Sequence, residues 1–182
     1  SIEYSYSFSE DLQQEWNWSN RYSDQSEILE YLNHVADKFD LRKHIVCNTT
    51  VKSATYKESS NEWEINTESS SYISKFCVMA TGTLSSIKEP TFEGLEDFQG
   101  ESYITGRWPH EKVDFTNKKV GIIGTGSSAV QSIPVIANEA KNLTVFQRSP
   151  NYSIPAKNRP LSNKEILNAK SNYSEIRNKA KY

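Results

Sequence analysis

The sequence predicts an α/β protein, and three observations carry that prediction. Residues 25–39 repeat their apolar side chains at helical spacing, residues 45–80 hold short runs of β-forming side chains, and 119–147 reads as strand, glycine turn, helix, strand.

The elements follow in chain order. The opening is aromatic (Tyr4, Tyr6, Phe8, Trp16, Trp18, Tyr22) and reads as turns with a short helix over 11–15. Over 25–39 one helical face carries Ile28, Leu29, Leu32, Val35, Ala36 and Phe39, the other Glu27, Glu30, Asn33, Asp37 and Lys38, with Ser23 or Asp24 as N-cap. Four β runs are expected next, at 45–48, 50–56, 62–67 and 72–80, with Ser59-Ser60-Asn61 as a turn, which makes a meander. The last run ends in Ala80-Thr81-Gly82, small residues that let a backbone approach closely. Pro90, Gly94, Gly100, Gly106 and Pro109 punctuate 85–117, where no period survives, so this reads as a linker between two lobes. A strand over 119–124, a helix over 127–140 (Val130, Ile133, Val135, Ile136, Ala140) and a strand over 143–147 then form a βαβ unit. Pro134 falls near the second turn of that helix, where it removes a backbone donor. After Pro150 a polar loop leads into a Lys/Glu/Asn-rich helix from 163 onward.

Composition sets the bounds. A length of 182 residues suits one domain or parts of two, and 36% hydrophobic residues make the core modest. With 21 basic against 23 acidic residues, the net charge of −2 gives no electrostatic case for a nucleic-acid or anionic-membrane partner. The apolar runs are too short to span a bilayer, so a soluble, cytoplasmic protein is expected. Cys47 and Cys77 sit in apolar β-like runs without ligand spacing, and read as buried reduced thiols, with no metal. The chain opens on Ser1, not methionine, and ends at Tyr182 in a charged helical stretch, which reads as a piece of a longer chain. His34, His44 and His110 are scattered, and His34 and His44 read as structural or solvated. No nucleophile elbow, carboxylate dyad or metal cage is present, so chemistry must come from bound cofactors.

The motif that carries chemistry is Val120-Gly121-Ile122-Ile123-Gly124-Thr125-Gly126-Ser127-Ser128-Ala129. Gly124, Gly126 and Ala129 fill the three small positions of a dinucleotide fingerprint: a tight turn, a close backbone approach to pyrophosphate, and helix packing on the strand. Free N–H groups of Thr125, Gly126, Ser127, Ser128 and Ala129 then face a diphosphate at a helix N-terminus. An NAD site wants an acid at the end of the second strand, and an NADP site wants a cation. Near the expected offset of roughly 20 residues stands Phe146-Gln147-Arg148-Ser149, with no acid. Arg148 offers a bidentate phosphate partner and Ser149 a hydroxyl. A solvated surface arginine is the competing reading, and the fingerprint with the missing acid favours the phosphate.

Further stretches resemble the Baeyer–Villiger monooxygenases. Residues 98–109 are similar to the family fingerprint F-x-G-x-x-x-H-x-x-x-W-[PD], matching at Phe98, Gly100, Trp108 and Pro109, while Ile104 replaces the histidine. Ala80-Thr81-Gly82 resembles the family's linker motif. Residues 146–152, with Pro155 and Ala156, are similar to its segment after the NADP-binding strand, and the aromatic opening and the helix over 25–41 also look like the family.

The resemblance implies a flavoprotein with two dinucleotide-binding domains: a Rossmann-like NADP lobe, in part at 88–182, and the later part of an FAD lobe at 1–87. It implies FAD and NADPH as cofactors, and insertion of one oxygen of O2 beside a ketone carbonyl to give an ester or lactone. Thr125 to Gln131, Arg148 and Ser149 match positions that hold NADP, and Tyr4 and Val51 positions that touch FAD. No catalytic residue falls within the segment, because the family's active-site aspartate and arginine lie beyond its two ends. Ile104 bears on how a hinge between lobes positions the nicotinamide. The alternatives are an N- or S-oxygenating flavin monooxygenase, a non-catalytic fragment that at most binds NADP, and a plain NADPH reductase, against which Trp108-Pro109 counts.

Overall fold

The computed structural model describes residues 2–180, so the end of the expected last helix at Lys181 and Tyr182 lies outside the described residues. Packing divides the chain into two units, one of the residues up to Cys77 together with those from Pro155 onward, the other Val78–Ile154. This division differs from the lobe boundary expected at 87/88, since the closing helices group with the aromatic opening.

In the first unit, α1 (Glu10–Glu15) starts where the Ser9 hydroxyl accepts from the Leu12 N–H at 3.2 Å. Helix α2 (Gln25–Lys38) is capped by Asp24, whose carboxylate accepts from the Glu27 N–H at 3.0 Å; the cap is therefore Asp24, not Ser23. Leu12, Trp18, Tyr31 and Val35 form the core. Of the expected apolar face of α2 only part is covered: Val35 is buried, but Leu29 and Leu32 are exposed. The buried stripe turns toward Tyr31 because the rings of Trp16 and Trp18 come against it at 5.3 and 5.0 Å, and its hydroxyl accepts from the Tyr6 N–H at 2.8 Å.

The meander comprises β1 (Val51–Lys57), β2 (Glu62–Thr67) and β3 (Ser71–Ser74), antiparallel in that order. Asn61 holds φ 54°, the left-handed turn conformation that Asn tolerates. One expected strand fails and another ends early. Residues 45–48 are irregular, with Asn48 at φ 53°, and nothing past Ser74 continues β3. A strand exists only as a partner in a ladder, and among the described residues neither stretch has one. Phe76 and Val78 are therefore more than four-fifths exposed. The expected burial of the thiols fails for the same reason: both cysteines are free, but Cys47 is exposed and Cys77 only half-buried.

The closing part forms α4 (Asn163–Ser171) and α5 (Tyr173–Ala180), two helices broken at Asn172 instead of one. Ser162 and Glu165 make a capping box at the start of α4. Just before it the chain runs antiparallel to 19–21, with the Arg21 N–H donating to the Arg159 carbonyl and the Leu161 N–H to the Ser19 carbonyl, each at 2.9 Å.

In the second unit the linker holds only single 3-10 turns, Leu95–Asp97 and Thr105–Arg107. Strand β4 (Lys119–Ile123), helix α3 (Ser127–Glu139) and strand β5 (Asn142–Phe146) follow, with β4 and β5 parallel and Val120 opposite Leu143. Pro134 lies inside α3, which continues through it to Glu139. Among the described residues no helix is long and apolar enough to cross a membrane.

Candidate functional site

The glycine-rich turn joins β4 to α3. The Gly124 N–H donates to the Phe146 carbonyl at 2.8 Å, which extends the parallel ladder by one step and brings the end of β5 beside the turn. Gly124 has φ +100°, a conformation that excludes most side chains. Gly126 is different. Its φ of −69° suits any residue, and a Cβ built there meets nothing within 4 Å. The protein itself sets no need for glycine at 126, and the space in front of it is open.

Gly126 is the N-cap of α3, and no side chain caps this end. The first-turn N–H groups stay available, with the positive end of the helix dipole behind them. Ser127 and Ser128 are exposed there and Ala129 is half-buried. The Gln131 amide donates to the Ser127 carbonyl at 3.0 Å.

Arg148 and Ser149 stand on the bend after β5, both exposed. Arg148 makes no ion pair with any described residue, in contrast to Arg42, Arg107 and Arg159, each of which holds a carboxylate. One residue that sequence reasoning missed also reaches the turn. The Asn151 amide donates to the Thr125 carbonyl at 2.8 Å and lies 3.2 Å from Thr125 Oγ1. Its partner stands 26 positions upstream, and no local pattern signals such a pair.

The fingerprint stretch forms its own packed surface in the same unit. Trp108 lies against Tyr103 and Phe115, centroids 5.6 and 6.2 Å apart, and Phe115 is buried. A Cβ on Gly100 would stand 2.6 Å from Phe98 Cζ, so a side chain at 100 requires that exposed ring to move. Ile104, half-buried, opens the 3-10 turn, its carbonyl accepting from the Arg107 N–H at 2.9 Å. Pro109 is half-buried. Lys118, at the foot of β4, bonds Glu101 and holds that carboxyl below its ordinary range.

The two positions matched to FAD lie in the other unit. Tyr4 packs on Trp18 with centroids 6.2 Å apart, and Val51 opens β1 beside an irregularity in the ladder. Both are more than half exposed, and by themselves they enclose no ring system. No group of His, Cys, Asp and Glu among the described residues could hold a metal ion.

Comparison with known proteins bears on this geometry. The family described as pyridine nucleotide-disulphide oxidoreductase matches residues 2–181. The chain is 45% identical over 182 residues to a Baeyer-Villiger monooxygenase of Pseudooceanicola batsensis, covering 100% of this chain and 33% of that protein. It is 42% identical over 173 residues to the cyclohexanone 1,2-monooxygenase of an Acinetobacter species, covering 94% and 32%. Among solved structures it matches OTEMO in complex with FAD and NADP, with a TM-score of 0.87 and 40% identity over 97% of this chain and 34% of that one. The similarity to Baeyer–Villiger monooxygenases stated from the fingerprint holds, and so does the nucleotide-binding α/β fold. The chain spans about a third of the length of each relative.

Proposed function

Because this chain belongs to the pyridine nucleotide-disulphide oxidoreductase family, we propose that its β4–α3–β5 unit holds NADPH within an FAD-dependent monooxygenase. The proposed reaction places one oxygen of O2 beside a ketone carbonyl to give an ester or lactone. The names of the relatives, a Baeyer-Villiger and a cyclohexanone monooxygenase, support that substrate class, and the neighbour in complex with FAD and NADP supports the cofactor pair.

The observation that carries the nucleotide assignment is the pairing of an uncapped helix end, open in front of Gly126, with an arginine that has no ion pair among the described residues, after a strand that ends without an acid. Gly124 makes the turn, Gly126 admits the diphosphate against the backbone, and the N–H groups of Ser127, Ser128 and Ala129 bond its oxygens. Arg148 and Ser149 take the 2′-phosphate, which distinguishes NADPH from NADH. When bound, NADPH supplies the hydride. This chain's residues orient it and neutralise its charge.

The assignment of 1–87 to an FAD lobe and 88–182 to an NADP lobe, with Tyr4 and Val51 toward FAD, rests on the resemblance. So does a role for the fingerprint stretch, Phe98 to Pro109, in coupling flavin and nicotinamide, with Ile104 supplying packing but no hydrogen bond.

The test is Arg148→Ala in the full-length protein. Loss of a charge-assisted hydrogen-bond pair, about 1.5–3 kcal/mol, should raise KM for NADPH roughly ten- to a hundredfold and leave KM for NADH nearly unchanged. Equal weakening toward both cofactors would refute the assignment of the 2′-phosphate to Arg148.

A further inference from the structure

The bend that carries Arg148 and Ser149 is pinned at both ends to the glycine-rich turn. On one side the Phe146 carbonyl accepts from the Gly124 N–H at 2.8 Å. On the other the Asn151 amide donates to the Thr125 carbonyl at 2.8 Å, with Thr125 Oγ1 at 3.2 Å. Two consecutive residues of the turn thus hold the two ends of 147–150, and Pro150 fixes one more backbone angle between them.

A loop held at both ends samples few conformations, so a long side chain within it is partly placed before any ligand arrives. Arg148 has no carboxylate among the described residues to place it instead. The amide also occupies an acceptor site on the Thr125 hydroxyl, which leaves that hydroxyl's own proton free to donate elsewhere.

We infer that Asn151 is a positioning residue for recognition of a 2′-phosphate: by clamping the bend to Thr125, it sets where Arg148 and Ser149 stand relative to the diphosphate turn. The inference rests on the NADPH reading of this site. It differs from that reading in assigning nucleotide selectivity to a side chain that touches no nucleotide.

Calorimetric titration of the full-length protein with 2′,5′-ADP and with 5′-ADP tests it without turnover. Asn151→Ala should weaken 2′,5′-ADP three- to tenfold and leave 5′-ADP within about a factor of two, the range expected for one lost neutral hydrogen bond. Asn151→Asp, the same shape with no donor and a charge facing a carbonyl oxygen, should do at least as much. If the unaltered protein binds 2′,5′-ADP no tighter than 5′-ADP, the NADPH reading itself fails. If it prefers 2′,5′-ADP and Arg148→Ala removes the preference while both Asn151 variants keep it, the positioning role alone is overturned. Equal weakening of both ligands by the Asn151 variants also overturns it, because the amide then supports the turn and not selectivity.

Discussion

Gly100 and Gly126 are both glycines of nucleotide-family motifs, yet they answer to different constraints. At Gly100 a side chain meets Phe98 at 2.6 Å, whereas at Gly126 it meets nothing. Gly126→Val should therefore still fold, with at most a small drop in melting temperature from the poorer N-cap, yet lose binding of 2′,5′-ADP, since valine would occupy the space a diphosphate needs. A variant that still binds the analogue at wild-type affinity would remove Gly126 from the site. Ser5 presents the opposite case, a buried polar atom used only by the protein. Its hydroxyl accepts from Trp18 Nε1 at 2.9 Å and shares a hydrogen bond with the Tyr173 hydroxyl at 3.2 Å, while Arg177 donates to its carbonyl at 2.7 Å. Ser5→Ala strands the buried indole donor, for which about 1–3 kcal/mol of stability is expected to be lost. A shift in the urea midpoint at constant slope is the measurement, and no shift would mean that water replaces the hydroxyl. The role proposed for Gly126 was legible in the sequence because its reason lies in the two residues around it. The contacts of Ser5 and Asn151 were not, because their partners stand far along the chain, Tyr173 at 168 positions and Thr125 at 26.

At the scale of elements, α4 shows how a helix start depends on pH. Glu165 accepts from the Arg159 guanidinium at 2.5 and 2.9 Å, and from the Ser162 N–H and hydroxyl at 3.0 and 2.7 Å. Arg159 first, then Ser162, hold its carboxyl far below the usual carboxylate range. A carboxyl depressed in the folded state stabilises fully above its unfolded value, about 4.3, and that contribution is lost as pH falls through the lower folded value. The melting difference between the wild type and Glu165→Ala should thus be flat from about pH 7 to 5 and shrink below about pH 4. A difference that is already changing between pH 7 and 5 would count against the pair. Local signals made α2 and the βαβ unit legible, period and cap for α2, period and glycine turn for the βαβ unit. The runs at 45–48 and 75–80 have the composition of strands, but composition names no partner strand. The burial of Cys47, argued from the same apolar neighbours, failed with its strand.

For the whole molecule, what the chain leaves uncovered matters as much as what it packs. Phe76 is 85% exposed and Val78 87%, and Met79 continues the same bare run. Apolar side chains clustered at this exposure mark a surface for another polypeptide segment or an aggregation hazard. The relatives are about three times as long as this chain, so they have further sequence with which to cover the equivalent run. Produced as these 182 residues, the protein should bind an apolar dye such as anilinonaphthalene sulfonate at neutral pH and scatter light at concentrations where a covered surface would not. Replacing Phe76 and Val78 together by serine removes two large apolar groups without touching β3 or the glycine turn, because both lie outside the regular elements. Dye fluorescence and scattering should then fall by a factor of two or more, while the far-ultraviolet circular dichroism stays the same. Unchanged fluorescence in the double variant would show that residues 76–79 are packed away in solution, and the apolar run would then read as core after all.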